Sequence, residues 1–152
     1  MGHRANDLPF RSRMPDKKGK IIDVACKGTV AIDTKTLGAI GESAAVMHLQ
    51  SEGYKIISRN TVLPGGELDI VATEGDTLAF VEVKSRLKAG LFKPRDNVTT
   101  DKTNRLKRLA KIWLKRNRKY AEKRVRYDVV EVILDGKTLS VKELTLHRAF
   151  FE

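Results

Sequence analysis

Two apolar runs on either side of a tight turn constrain this chain more than any other feature. Glu67-Leu68-Asp69-Ile70-Val71 and Leu78-Ala79-Phe80-Val81-Glu82-Val83-Lys84 are rich in Val, Ile, Leu and Phe and read as β-strands. Gly75-Asp76 between them is a two-residue hairpin signal. A turn there sets the register: Glu74 pairs with Thr77, Asp69 faces Glu82, and Glu67 faces Lys84. Side chains alternate along a strand, so strict alternation puts Glu67, Asp69, Glu82 and Lys84 on one face. Opposed residues have Cβ atoms roughly 4.5–5.5 Å apart, and like charges so placed destabilise a sheet. A divalent cation removes the conflict, because Mg²⁺ binds through one or two carboxylates and takes phosphate oxygens among its remaining ligands. Lys84 would then orient a water or neutralise a phosphate. On a structural reading it only pairs with Glu67 across the hairpin. The plainer alternative is a pair of solvated strands with ordinary surface charge. That reading predicts a polar face throughout, whereas Leu78 and Phe80 share the face of Glu82 and Lys84, and a face that turns from apolar to charged suits a site at a rim.

With 152 residues, 41% of them hydrophobic, the chain can form one domain with a real core. The net charge of +11 and pI near 9.9 favour a polyanionic partner. The single cysteine, Cys26, excludes an internal disulfide and a cysteine-based zinc site, so a reducing cytoplasm is the expected compartment. No apolar stretch approaches the roughly 20 residues of a membrane span, and the N-terminus lacks the apolar core of a signal peptide.

Residues 1–36 read as a basic N-terminal arm, largely disordered, with weak strand signals at Ile21-Ile22 and Val30-Ala31-Ile32. Residues 37–152 read as the folded domain. Its first helix is predicted over Leu37 to Gly53, capped by Thr36, with Leu37, Ile40, Ala44, Met47 and His48 as one stripe. A second stripe, Glu42, Ala45 and Leu49, places an acid in the first turn, where it also suits the helix macrodipole. Tyr54 to Val62 is the next strand, and Pro64-Gly65-Gly66 is the turn before Glu67. After the hairpin, Ser85 to Thr100 is a basic loop carrying Arg86. A second helix runs from Asp101 to about Tyr120 with Leu106, Leu109, Ala110, Trp113 and Tyr120 buried. Residues 101–126 hold twelve Lys or Arg against Asp101 and Glu122, leaving few acidic partners for i,i+4 pairs, and such uncompensated charge fits phosphate-backbone contact. Tyr127 to Leu134 and Leu139 to Leu144 are predicted as the last strands, around Asp135-Gly136. The order helix, three strands, helix, two strands is that of an α/β protein with a mixed sheet flanked by helices.

The ordered series Gly41-Glu42, Gly66-Glu67-Leu68-Asp69-Ile70-Val71 and Phe80-Val81-Glu82-Val83-Lys84-Ser85-Arg86 resembles the YraN-type family of small bacterial endonuclease-like proteins, which are related to Holliday junction resolvases. The resemblance spans roughly Leu37 to Leu134. It implies a restriction-endonuclease-like core of the PD-(D/E)xK superfamily, in which Glu42, Asp69 and Glu82 bind Mg²⁺ or Mn²⁺ and Lys84 assists catalysis. It also places Lys102 and Arg105 at the start of the following helix. The proline of the motif's name is not adjacent to Asp69; Pro64 lies earlier.

The expected function is then a Mg²⁺-dependent nuclease acting on DNA phosphodiester bonds. Arg86, Lys102, Arg105, Lys107, Lys111 and Lys115 would hold the backbone. That contact set carries no base-reading logic, so substrate structure or ends, branched and single-stranded DNA among them, would be chosen rather than sequence. The alternative is a non-catalytic nucleic-acid-binding accessory protein in recombination, repair or DNA uptake. A homodimer is an assembly the sequence leaves open.

Overall fold

The computed structural model describes residues 11–15, 21–25, 33–88 and 100–151. The chain divides into two units, Met1–Ala31 and Ile32–Glu152. In the first, β1 (Arg11–Pro15) and β2 (Ile21–Ala25) pair antiparallel, from Arg11 with Ala25 to Pro15 with Ile21. The rest of the expected arm before Asp33, with Cys26, lies outside the described residues, as do residues 89–99 of the expected basic loop.

The second unit runs α1 (Thr34–Ser51), β3 (Lys55–Leu63), β4 (Gly66–Glu74), β5 (Thr77–Leu87), α2 (Thr100–Arg116), a 3-10 turn (Arg118–Tyr120), β6 (Arg124–Leu134) and β7 (Val141–Phe151). The five strands form one sheet in the order β3-β4-β5-β6-β7. Neighbours are antiparallel except β5 and β6, which are parallel and joined through α2. The sheet is therefore mixed, because two-residue turns make hairpins while a parallel pair needs a crossover. This is the α/β, restriction-endonuclease-like architecture that the resemblance implies.

Each helix covers one apolar face. Ala45 and Leu49 of α1 pack with Tyr54, Ile70, Ala72, Ala79, Val81, Val130, Val132 and Leu134. Leu106, Leu109, Ala110 and Trp113 of α2 pack with Leu63, Leu68, Val71, Leu78 and Phe80. Phe80 sits edge-on to Trp113 with ring centroids 5.7 Å apart.

Helix α1 starts before the predicted Leu37, because Asp33 is its cap: Asp33 Oδ1 accepts from Thr36 N at 2.8 Å, so Thr36 lies inside the first turn. Its buried line is Gly41, Ala45 and Leu49, with Leu37, Ile40 and Ala44 beside it. Met47, expected in the stripe, is 72% exposed. Leu106, Leu109, Ala110 and Trp113 of the predicted α2 stripe are buried and Tyr120 is half-buried, but the helix stops at Arg116 rather than near Tyr120. Asn117 Nδ2 donates to Trp113 O, and a 3-10 turn follows. Tyr120 still packs against Trp113, with tilted rings whose centroids are 5.4 Å apart. Strand β7 extends beyond the predicted Leu144 through the C-terminal segment, which pairs along β6 as far as Tyr127 with Phe151.

A polar network crosses the α1 side of the sheet. Asp128 of β6 is fully buried and accepts from Arg126 Nε at 2.8 Å, Tyr54 Oη at 3.0 Å and Ala149 N at 2.9 Å. Arg126 also donates to Glu74 at 2.7 Å, and Arg148 of β7 bridges Glu74 and Glu52. Burial and the Asp128 carboxylate push the Tyr54 phenol up to about 12, while Arg126 holds Glu74 below the usual carboxylate range.

Candidate functional site

The predicted hairpin forms. Glu74 pairs with Thr77 around Gly75-Asp76, and the register runs back through Ala72–Ala79 to Ile70–Val81. One step further in the same register brings Asp69 to the level of Glu82. There the ladder gives way to a side-chain contact, in which Val83 N donates to Asp69 Oδ2 at 2.8 Å. One oxygen of Asp69 is thus fixed by the neighbouring strand's backbone.

The charge of Asp69 is strongly disfavoured. Burial, then the Glu82 carboxylate, then Glu42 and Glu67 push its carboxyl up to about 7, against the pull of the Val83 N–H. The acids singled out in the sequence therefore share one region of the molecule. They have not converged: among the described residues, no group of three or more His, Cys, Asp or Glu side chains stands ready to hold a metal ion. As a donor set they are hard carboxylate oxygens, which suit Mg²⁺ or Mn²⁺ and not a soft metal.

Glu42 reaches the site because α1 comes very close to β5. A Cβ on Gly41 would overlap the Ser85 hydroxyl and lie 2.8 Å from its Cβ, so only glycine lets the helix approach there. The Ser85 hydroxyl is buried with no hydrogen-bond partner among the described residues. Glu42 Oε2 accepts from Asn60 Nδ2 of β3 at 2.8 Å.

On β5, Phe80 packs under α2 while Val81 and Val83 pack under α1, so the strand alternates regularly and Glu82 and Lys84 fall in step with Phe80. Lys84 is half-buried and makes no ion pair among the described residues. The Glu67 contact of the structural reading is not made. Strand β4 does not alternate regularly. Leu68 and Val71, three residues apart, both pack under α2, so the expectation that strict alternation aligns Glu67 and Asp69 fails at Asp69.

The cations fall into two groups. Lys107, Lys111 and Lys115, with Asn104, Arg108 and Ile112, lie along one open side of α2. Arg105 and Lys102 lie nearer the start of α2. A Cβ on Gly66 would lie 3.7 Å from Arg105 Cδ, which sets that arginine beside the head of β4. Arg86 is exposed on β5, two residues beyond Lys84. Lys102, Arg105, Lys111 and Lys115 have no ion-pair partner among the described residues. No helix among the described residues is long and apolar enough to cross a membrane.

Two features escaped the sequence reading. Asn60 sat unremarked in a predicted strand, although asparagine is depleted in strands and its presence there is a signal. Asp128 sat in an apolar run, and its partners are remote in sequence, so only the fold reveals it.

Fold and site together define a small α/β protein with carboxylates gathered at one end of a central hairpin and a basic helix packed over one face of that hairpin. The chain belongs to the uncharacterised protein family UPF0102, whose model matches residues 41–132. All the candidate site residues fall within that span. A UPF0102 protein of Acetivibrio thermocellus is 40% identical over 120 residues, covering 77% of this chain and 92% of the relative. One from Dictyoglomus turgidum is 38% identical over 106 residues, covering 70% and 89%. One from Beutenbergia cavernae is 45% identical over 97 residues, covering 64% and 81%.

Proposed function

We propose that this protein is a Mg²⁺- or Mn²⁺-dependent nuclease that hydrolyses DNA phosphodiester bonds in the cytoplasm. One observation carries the reading: Asp69 is half-buried beside Glu82, with Glu42 and Glu67 near by, at a cost to its own ionisation, on a chain of net charge +11. A fold has no use for further acids around a half-buried carboxylate, and a module that only binds polyanions has less. A divalent cation bound there would lower the pKa of an attacking water and stabilise the leaving oxygen.

The chain's own residues divide the remaining work. Asp69 offers the oxygen that Val83 does not hold, and Glu82 and Glu42 supply the other carboxylates. Lys84, without an ion pair among the described residues, donates to a phosphate oxygen as negative charge builds up on it. Lys107, Lys111 and Lys115 on the open side of α2, with Lys102, Arg105 and Arg86, contact the phosphate backbone. Such contacts position the nucleic acid without reading bases, so branched, single-stranded or end-bearing DNA is preferred over a sequence.

The test uses purified protein with Mg²⁺ or Mn²⁺ on labelled duplex, single-stranded, flapped and four-way-junction DNA. Wild type cleaves at least one of these. Asp69→Asn and Glu82→Gln lose cleavage and bind DNA as well or better, since negative charge near the phosphate is gone. DNA binding without cleavage by wild type would instead select a non-catalytic accessory protein in recombination, repair or DNA uptake. Sedimentation of the same sample would show whether a homodimer forms.

A further inference from the structure

Asn60 is a non-glycine residue with a left-handed backbone, φ +48°, in the middle of strand β3. Few residues other than glycine adopt that conformation, and asparagine is one of them. The β3–β4 register, Arg59 with Ile70 and Thr61 with Leu68, sets Asn60 opposite Asp69. Both strands change face at this pair. On β3 the Thr61 hydroxyl donates to the Ser58 hydroxyl at 3.0 Å, a contact between residues three apart that regular alternation would put on opposite faces. On β4 the same slip brings Leu68 and Val71 into one cluster. The side chain of Asn60 does a second thing, because its Nδ2 donates to Glu42 Oε2 at 2.8 Å. One residue therefore sits where β4 leaves alternation to place Asp69, and also ties the acid of α1 to that point. Strained backbone of this kind persists only where its surroundings fix it, and it concentrates at functional sites.

We infer that Asn60 is a positioning residue of the acid site: its left-handed backbone sets the turn at which Asp69 leaves the strand's alternation, and its amide holds the Glu42 carboxylate toward Asp69. The inference rests on the reading of these acids as a divalent-cation site. Asn60 does not itself hold the cation. It fixes the distance between two groups that do, as hydrogen-bonding partners behind metal ligands commonly do.

Asn60→Gly separates the two contributions, because glycine accepts the left-handed backbone but lacks the amide. Asn60→Ala lacks the amide and strains the backbone. Titration calorimetry with Mg²⁺ and with Mn²⁺, in the absence of DNA, measures the site directly, and thermal melting of the metal-free proteins reports the fold. Asn60→Gly is expected to melt close to wild type and to bind the cation at least about tenfold more weakly, in the range found when outer-shell partners are removed. Asn60→Ala is expected to melt below Asn60→Gly. Cation binding by Asn60→Gly equal to that of wild type would overturn the role of Asn60 and leave the metal site standing. Absence of Mg²⁺ and Mn²⁺ binding in wild type would overturn both.

Discussion

Asp69 concentrates the chemistry of this molecule in one carboxyl group, and the cost can be measured. The native state holds its proton up to about pH 7, whereas the unfolded chain releases it near 4. Between those values the unfolded state binds fewer protons than the native state, so rising pH removes stability. The contribution is fully present below about pH 4, is lost progressively up to about 7, and changes no further above that. An amide in place of this carboxyl cannot ionise, so metal-free Asp69→Asn is expected to match wild type near pH 4 and to be more stable at pH 8 by on the order of 1–4 kcal/mol. Melting curves at the two pH values check this. Millimolar Mg²⁺ should raise the melting temperature of wild type at pH 8 and leave the mutant where it was. The level of Asp69 and Glu82 was readable from sequence, because a two-residue turn leaves little freedom in register. The break in alternation at Asp69 was not, because it depends on the backbone angle of a residue in the neighbouring strand.

Among the elements, the two helices show what periodicity can and cannot tell. The stripe of α2 was legible because Leu106, Leu109, Ala110 and Trp113 recur at helical spacing against a polar background. The buried line of α1 was harder to see, because its key member is Gly41, which carries no hydrophobic signal. Gly41→Ala is expected to destabilise by about 1–3 kcal/mol through overpacking against Ser85, and the double mutant with Ser85→Gly should recover part of that loss in chemical denaturation. If α2 is the phosphate-binding element, holding five or six phosphates from Lys102 onward, log affinity for DNA should fall against log salt with a slope of roughly −4 to −5. Neutralising Lys107, Lys111 and Lys115 together should flatten it by about one unit for each phosphate no longer held. Fluorescence anisotropy over a range of salt concentrations measures both, and a wild-type slope near zero would leave α2 as a solvated face.

At the scale of the whole domain, the mixed sheet followed from the order of elements, since hairpins must be antiparallel and the helix between β5 and β6 permits a parallel pair. The network around Asp128 did not follow, because Tyr54, Glu74, Arg126 and Arg148 come from four parts of the chain and no local pattern connects them. Arg126→Met would leave the fully buried Asp128 carboxylate without its main counter-charge. The expected loss is about 3–5 kcal/mol, the usual result of removing one partner of a buried pair, read from the denaturant midpoint. The network also bears on the order of events in time. The meander β3-β4-β5 and the hairpin β6-β7 can each form from neighbouring segments, but Arg126 meets Glu74 and Tyr54 only after β6 has docked beside β5. A contact that forms after the folding barrier has been crossed slows escape from the native state without hastening entry into it. If β6 docks after that barrier, Arg126→Met accelerates unfolding in stopped-flow experiments while barely changing the refolding rate, and the lifetime of the native protein is set largely by a latch outside the acid site, on the strand beside Glu82.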